Sequence, residues 1–244
     1  MTADVSLYEG LTTTRAIRRF TDEPVTDDDL NAILFAATRA PSGSNRQPFR
    51  FIVLRDGPAA RQARALLGEA ARRVWVGKEV ADGYQSGAGN VENSPKERLA
   101  RTMRHFVEHF EDSPVVILAC LKRYRDPAIT EGASIYPACQ NLLLAARARG
   151  LGGVLTQWQA LVEPGLRTVL GIPDGVGLHA TITIGHPEGH HGPVRRRPLR
   201  ELVYEDRWEG EATWAADPAG TEFTAAGPPG TWPERDDRTA DTPS

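Results

Sequence analysis

Two clusters of arginine, about 180 residues apart in the 244-residue chain, are the side chains best suited to bind an anion. The first consists of Arg15, Arg18 and Arg19, and the second of Arg195, Arg196 and Arg197. A guanidinium group carries a planar fork of donors that matches the oxygens of a phosphate. Runs of charge on protein surfaces are nevertheless usually solvated and bind no ligand. The two clusters alone therefore leave both interpretations open.

A polar loop supplies a second set of groups that could contact a ligand. The segment 41–48 reads PSGSNRQP, and its hydroxyls and amides belong to Ser42, Ser44, Asn45 and Gln47. Gly43 lets the backbone approach a bound molecule closely, because it has no side chain. These groups can donate and accept hydrogen bonds. By itself the loop is more typical of an ordinary polar connection than of a site.

Four motifs, taken together and in order, closely resemble those of the nitroreductase family. They are TRAIRRF at 14–20 followed by Pro24 and Val25, APSGSNRQPF at 40–49, QNLLLAA at 140–146 with GLG at 150–152, and RRRPL at 195–199 followed by Leu202 and Val203. The corresponding family patterns are R-R-S-x-R-x-F, P-S-S-x-N-x-Q-P-W, Q-N-L-x-L-A-A and R-K-P-L-x-x-x-V. The resemblance covers about residues 8–204. One such motif would be weak, but four in order are specific.

The resemblance implies an α+β protein with a central, mostly antiparallel sheet flanked by helices. It also implies an interlocked homodimer with two FMN sites between the subunits. The positions that match FMN-binding positions are Arg15, Ala16, Arg18, Ser42, Gly43, Ser44, Asn45, Gln47, Leu155, Thr156, Arg195 and Arg196. Among them, Arg196 matches the arginine that reaches the phosphate, and 42–45 matches the loop that the other subunit lays against the flavin. Leu155 and Thr156 match positions near the isoalloxazine ring.

Three residues depart from the family pattern. Thr14 replaces the first arginine, Gly43 the second serine and Phe49 the tryptophan. The change at Thr14 puts one cofactor contact in doubt, although Arg15 and Arg19 could compensate. No departure removes a group required for the chemistry, because the reactive atom is the N5 atom of the flavin itself; no catalytic side chain is predicted.

The activity implied is hydride transfer through FMN from NADH or NADPH to an electrophilic acceptor such as a nitroaromatic or a quinone. A second hypothesis keeps the fold but changes the chemistry to dehalogenation, flavin destruction or oxidation of a biosynthetic intermediate. A third is a flavin-binding protein without turnover, which Thr14 favours. The physiological acceptor and the choice between NADH and NADPH are not predicted.

The elements that must position these residues follow from patterning and capping signals. Thr26 before three aspartates predicts a helix start, as does Ser94 before Pro95. Further helices are predicted over 58–73, 132–149 and 164–170, and strands over 51–54, 114–121, 153–157 and 178–184. This irregular mixture of helices and strands favours the α+β class. Four glycines in 76–93 predict a mobile loop.

The domain organisation predicted is one FMN-binding domain over 1–208 and a disordered C-terminal tail over 209–244, because the tail is rich in Gly, Pro, Thr and Asp. The formal net charge of -3 favours neither nucleic acid nor anionic lipid as a partner. The chain shows no signal-peptide pattern, and no apolar run reaches the ~18 residues of a membrane helix. We therefore expect a cytoplasmic protein that acts on small molecules.

Several other features are discounted. The segment from Gly87 begins like a dinucleotide-binding fingerprint but lacks the third glycine and a preceding strand. His186, His190 and His191 lie among Pro and Gly without helical spacing, so no metal site is predicted. Cys139 falls on the inward face of its helix and is interpreted as a core residue.

Overall fold

The computed structural model describes residues 5–225, and their contacts divide them into two compact units, with the boundary along the chain between Gly192 and Pro193. The helices of the first unit are α1 (Leu7–Thr13), α2 (Asp27–Ala37), α3 (Pro58–Ala81), α4 (Pro95–Glu108), α5 (Gly132–Ala148) and α6 (Glu163–Leu170). Its strands are β1 (Phe49–Leu54), β2 (Val115–Lys122), β3 (Gly152–Thr156) and β4 (Val176–Gly185). None of the described helices is both long enough and apolar enough to cross a membrane.

The four strands form one sheet in the order β1-β2-β4-β3, and every neighbouring pair is antiparallel. Residues on β2 alternate between the two faces of this sheet, as the twofold periodicity of a strand requires. Ile117 and Ala119 pack with α2 and α5 on one face, whereas Val116 and Leu118 pack with α3, α4 and α6 on the other. The predicted α+β fold with an antiparallel sheet flanked by helices is therefore confirmed.

The predicted helix starts are present with their caps. Thr26 Oγ1 accepts a hydrogen bond from the Asp29 amide at 3.1 Å, and Ser94 Oγ accepts one from the Glu97 amide at 3.0 Å. Each bond satisfies a backbone donor that the first helical turn leaves without a partner. The capping signals therefore placed the starts of α2 and α4 correctly.

Helix α3 continues to Ala81, eight residues beyond the end predicted at residue 73, so the first part of the 76–93 segment is helical. Gly77 lies exposed within the helix, where it costs about 1 kcal/mol relative to alanine. Trp75 offsets this cost because its ring is buried with Ala100 and Val107 of α4. The helix ends before Gly83, whose φ of 62° is readily adopted only by glycine.

Residues 193–225 form the second unit, which carries turns and two short 3-10 helices, Leu199–Glu201 and Glu222–Thr224. The Arg196 amide donates to the Thr224 carbonyl at 2.9 Å, and the Leu199 amide donates to Asp217 Oδ1 at 2.9 Å. Part of the segment assigned from sequence to a disordered tail, residues 209–225, therefore takes part in this unit. The rest of that tail, 226–244, lies outside the described residues.

Candidate functional site

The first arginine cluster lies on a segment that runs beside the edge strand β3. The Ile17 amide donates to the Gly153 carbonyl at 3.0 Å, and the Ile17 side chain is buried. Gly152 makes this approach possible, since a Cβ atom there would lie 2.5 Å from Ile17 Cγ1. The buried Ile17 thus anchors Arg18, its neighbour, close to the strand that carries Leu155 and Thr156.

A cavity of about 660 Å³, which we call the arginine cavity, opens beside this segment. Its charged lining residues are Arg15, Arg18, Arg19, Arg98 and Glu188. The Arg15 guanidinium donates to the His190 carbonyl at 2.9 Å, and Arg19 Nη1 lies 4.0 Å from Glu188 Oε2. The lining is strongly positive, because four guanidinium groups face one carboxylate.

Arg18 is the cation of this cavity with the least compensation. It forms no hydrogen bond or ion pair with any other residue in the described part of the chain. Burial lowers the pKa of Arg18 below its usual value, because the charged form loses contact with water, and the Tyr84 side chain opposes this shift. A guanidinium remains charged under such conditions. An anion bound next to Arg18 would therefore remove an unfavourable interaction.

A second cavity of about 290 Å³, the aromatic cavity, shares Arg18 and Leu99 with the first. The rings of Trp75, Tyr84 and Trp158 line it, together with Lys78, Met103, Val154, Leu155, Thr156 and Gln157. The ring centroids of Trp75 and Tyr84 are 5.2 Å apart, and Trp158 packs 5.5 Å from both Phe106 and Phe110. Flat apolar walls of this kind suit a planar ring, with Thr156 and Gln157 as polar groups at its edge.

The loop from Ser42 to Gln47 is exposed and has an unusual backbone. Ser44, Asn45 and Gln47 have φ values of 52°, 50° and 49°, a region that non-glycine residues rarely occupy. Ser42 Oγ holds the loop by accepting a hydrogen bond from the Gln47 amide at 2.9 Å. Backbone strain of this type is concentrated at ligand-binding sites.

This loop precedes β1, whereas Leu155 and Thr156 lie on β3, at the opposite edge of the sheet. Two strands separate β1 from β3, which corresponds to roughly 14 Å at the usual spacing between strands. Within residues 5–225 of this chain, the loop lines neither cavity. The first unit thus brings Arg15, Ala16, Arg18, Leu155 and Thr156 to the two joined cavities and places the loop apart from them.

Arg195 and Arg196 belong to the second unit. The Arg196 guanidinium donates to the Arg195 carbonyl at 2.9 Å, and Arg197 pairs with Glu201 at 2.9 Å. The assignment of Arg196 to the cofactor phosphate, and of Arg195 to the cofactor, stays a prediction.

The model of the nitroreductase family matches residues 11–186. The chain belongs to the nitroreductase family. The resemblance drawn from the four motifs is therefore confirmed.

Relatives of this nitroreductase-family chain are named for different enzymatic activities. An NADH dehydrogenase of Thermus thermophilus is 30% identical over 206 residues, which cover 78% of this chain and 90% of the relative. A 5,6-dimethylbenzimidazole synthase of Rhodospirillum rubrum is 28% identical over 198 residues, which cover 77% and 82%. A crystal structure of a Desulfovibrio desulfuricans protein assigned as a nitroreductase, in complex with FMN, is 30% identical with a TM-score of 0.60 and covers 82% of this chain and 96% of that one.

The motifs of the family did not reveal every residue that lines the cavities. Arg98, Leu99 and Met103 come from α4, and Trp75 and Lys78 come from the end of α3. The only indication of them in the sequence was the pair of helices predicted on either side of the segment 76–93. Their contribution depends on how α3 and α4 pack together, which no local pattern describes.

Both cysteines of this nitroreductase-family chain are buried. Burial raises the pKa of Cys120 to about 11 and that of Cys139 to about 12, so both thiols are protonated at neutral pH. The interpretation of Cys139 as a core residue is confirmed. In residues 5–225, no group of three His, Cys, Asp or Glu side chains is placed to hold a metal ion.

Proposed function

We propose that this protein is an FMN-dependent oxidoreductase that transfers hydride from NADH or NADPH to an electrophilic acceptor such as a nitroaromatic or a quinone. The observation that carries the proposal is the position of Arg18, an uncompensated cation on the wall shared by the arginine and aromatic cavities. A ligand with an anionic end and a planar ring fits this combination of charge and shape. FMN has both features.

The chemistry of the lining residues fits each end of FMN. Arg15 and Arg18, with the Ala16 backbone between them, would hold the phosphate end, to which we also assign Arg196. Arg195 is assigned to the same cofactor, with no particular group of it. Leu155 and Thr156 would contact the ring from the end of β3. Bound FMN would supply the atom that accepts a hydride equivalent from the donor and passes it to the acceptor.

In the aromatic cavity the donor would dock over the flavin ring and leave, and the acceptor would then take the same place. The rings of Trp75, Tyr84 and Trp158 would hold a planar substrate and exclude water, while Arg18 and Lys78 favour negative charge nearby. Use of one cavity by both substrates predicts ping-pong kinetics, because the first product must leave before the acceptor binds.

We propose a homodimer in which the loop from Ser42 to Gln47 completes the site of the partner subunit. This arrangement accounts for an exposed, strained loop that lies apart from the cavities of its own subunit. An apolar groove of about 490 Å³ between α1, α2 and α5 would provide the dimer contact. Leu7, Leu11 and Phe35 are more than half exposed at these helices, which is costly unless another surface covers them.

A second candidate function retains FMN but uses a different reaction, such as dehalogenation, flavin destruction or oxidation of a biosynthetic intermediate. The relative named 5,6-dimethylbenzimidazole synthase favours this second candidate. Its sequence identity to this chain is 28%, close to the 30% of the relative named NADH dehydrogenase. Single-turnover measurements separate the candidates, because a nitroaromatic or quinone should reoxidise the reduced protein within milliseconds to seconds only in the first case.

The main test is spectroscopic. The purified protein should be yellow and release close to one FMN per subunit on denaturation, and anaerobic addition of NADH or NADPH should bleach the flavin in a stopped-flow trace. A colourless protein that ignores added FMN would overturn the proposal. A yellow protein that neither NADH nor NADPH bleaches would instead indicate a binding protein without turnover.

Arg18→Gln should raise the Kd for FMN about ten- to a hundredfold, because a charge-assisted hydrogen bond is lost in a partly buried site. Flavin fluorescence titration measures this change. Arg101→Gln is the matched control, since Arg101 lies on α4, pairs with Glu97 and lines neither cavity. Equal FMN affinity in the two variants would remove Arg18 from the site.

A further inference from the structure

The arginine cavity holds more positive charge than one phosphate can neutralise. Four guanidinium groups line it, and the only carboxylate of its lining, that of Glu188, lies 4.0 Å from Arg19. A phosphate monoester carries about -1.5 to -2 charges at neutral pH, fewer than the four guanidinium groups of this lining. With Arg15 and Arg18 at the FMN phosphate and Arg19 near Glu188, Arg98 is the arginine of this lining that has neither a carboxylate nor an assigned anion.

Arg98 reaches the cavity from a different element than the first cluster. It lies on α4 and donates to the backbone carbonyl of Asn93, a neutral group. Thr102, one turn along the same face, donates its hydroxyl proton to the Arg98 carbonyl at 2.9 Å. Neither contact neutralises the charge, and Arg98 has no carboxylate partner in the described part of the chain. Arg98 is thus placed to bind a second anion.

The position of Arg98 connects this second anion to the aromatic cavity. Leu99, the next residue, lines both cavities, as does Arg18. A molecule with one ring in the aromatic cavity can therefore extend past Leu99 towards Arg98. Both NADH and NADPH have such an extended form, and they differ in one group, the phosphate monoester on the 2′ oxygen of the adenosine ribose.

We propose that Arg98 binds the 2′-phosphate of NADPH and makes NADPH the preferred electron donor. The proposal rests on the proposed function, because it requires that the protein use a pyridine nucleotide. Arg98 is exposed, so solvent weakens the interaction, and we expect an effect of about tenfold rather than a hundredfold.

Steady-state kinetics with the FMN-loaded protein test the preference. The parent should have a KM for NADPH about tenfold lower than that for NADH. Arg98→Gln should raise the KM for NADPH about tenfold, while the KM for NADH and the FMN content stay within about twofold of the parent. Arg101→Gln removes the same charge from the same helix and should leave the preference unchanged.

A binding measurement without turnover gives an independent readout. Calorimetric titration with adenosine 2′,5′-bisphosphate should show tighter binding than titration with AMP, and Arg98→Gln should abolish the difference.

A parent protein without preference for the 2′-phosphate overturns the proposal, and so does an Arg98→Gln variant that retains this preference. Loss of FMN from the Arg98 variant also overturns it, because Arg98 would then serve the FMN phosphate. These outcomes leave the proposed function intact, whereas a parent that binds no FMN fails the proposed function itself.

Discussion

At the scale of single residues, Arg196 is the proposed phosphate contact with the fewest partners of its own. Its neighbour Arg197 is paired with Glu201, whereas the Arg196 guanidinium has, among residues 5–225, a hydrogen bond to the carbonyl of Arg195 alone. The backbone of Arg196 is held in place by the hydrogen bond from its amide to Thr224. A fixed backbone with an unpaired side chain suits a residue that binds an anion.

Arg196→Ala should weaken FMN binding by roughly 2–4 kcal/mol, the range expected for charge-assisted bonds to a desolvated phosphate. Riboflavin lacks the phosphate and should bind the parent and the variant about equally. Fluorescence titration with both flavins measures the difference, and Arg207→Ala, outside the matched motifs, is the control. If Arg196→Ala held FMN as tightly as the parent, the phosphate would have to be assigned to Arg195 or Arg197.

The residues that sequence could predict are those that lie in motifs. Arg15, Ala16 and Arg18 lie in the first motif, Leu155 and Thr156 were matched by the family resemblance just after the third, and all five line the two cavities. Arg98 and Trp75 have no motif of their own. They line the site because α3 and α4 pack against each other through buried residues, and this packing is a tertiary property that spacing along the chain does not encode.

At the scale of elements, the edge strand β3 holds the site together because two glycines permit close contacts on it. A Cβ atom at Gly153 would lie 2.2 Å from the Thr183 carbonyl oxygen of β4, a backbone atom that cannot move aside easily. The strand boundaries were predicted to within two residues at most ends, since apolar runs mark them. The extension of α3 to Ala81 was not predicted, because burial of Trp75 outweighs the local signal of Gly77.

Gly153→Ala and Gly77→Ala should change stability in opposite directions. The first should lower the free energy of unfolding by about 1–3 kcal/mol, because it forces β3 away from β4. The second should raise it by up to about 1 kcal/mol, because Gly77 is helical, exposed and has open space around it. Urea denaturation measures both changes. Equal stability of the two variants would contradict the close contact at Gly153.

At the scale of the whole molecule, the parts of one proposed site lie apart within the described chain. The arginine and aromatic cavities lie beside β3, while the strained loop precedes β1 at the other edge of the sheet. Two subunits related by a twofold axis could exchange these loops, and each would then complete the cavity of the other. The cofactor affinity and the association of subunits would therefore be coupled.

Phe35→Glu tests this coupling. The Phe35 side chain is 64% exposed and lines the apolar groove with Leu7 and Ala36, so the substitution should leave the fold of one subunit intact. A carboxylate buried at the proposed interface should weaken association by about 2 kcal/mol or more, roughly thirtyfold in Kd. Sedimentation velocity should show monomers at concentrations where the parent is dimeric, and the monomers should lose FMN.

The control is Val80→Glu, because the Val80 side chain is 70% exposed and lines none of the three cavities. A Phe35→Glu variant that is monomeric and still binds FMN with the affinity of the parent would show that one subunit contains the complete site.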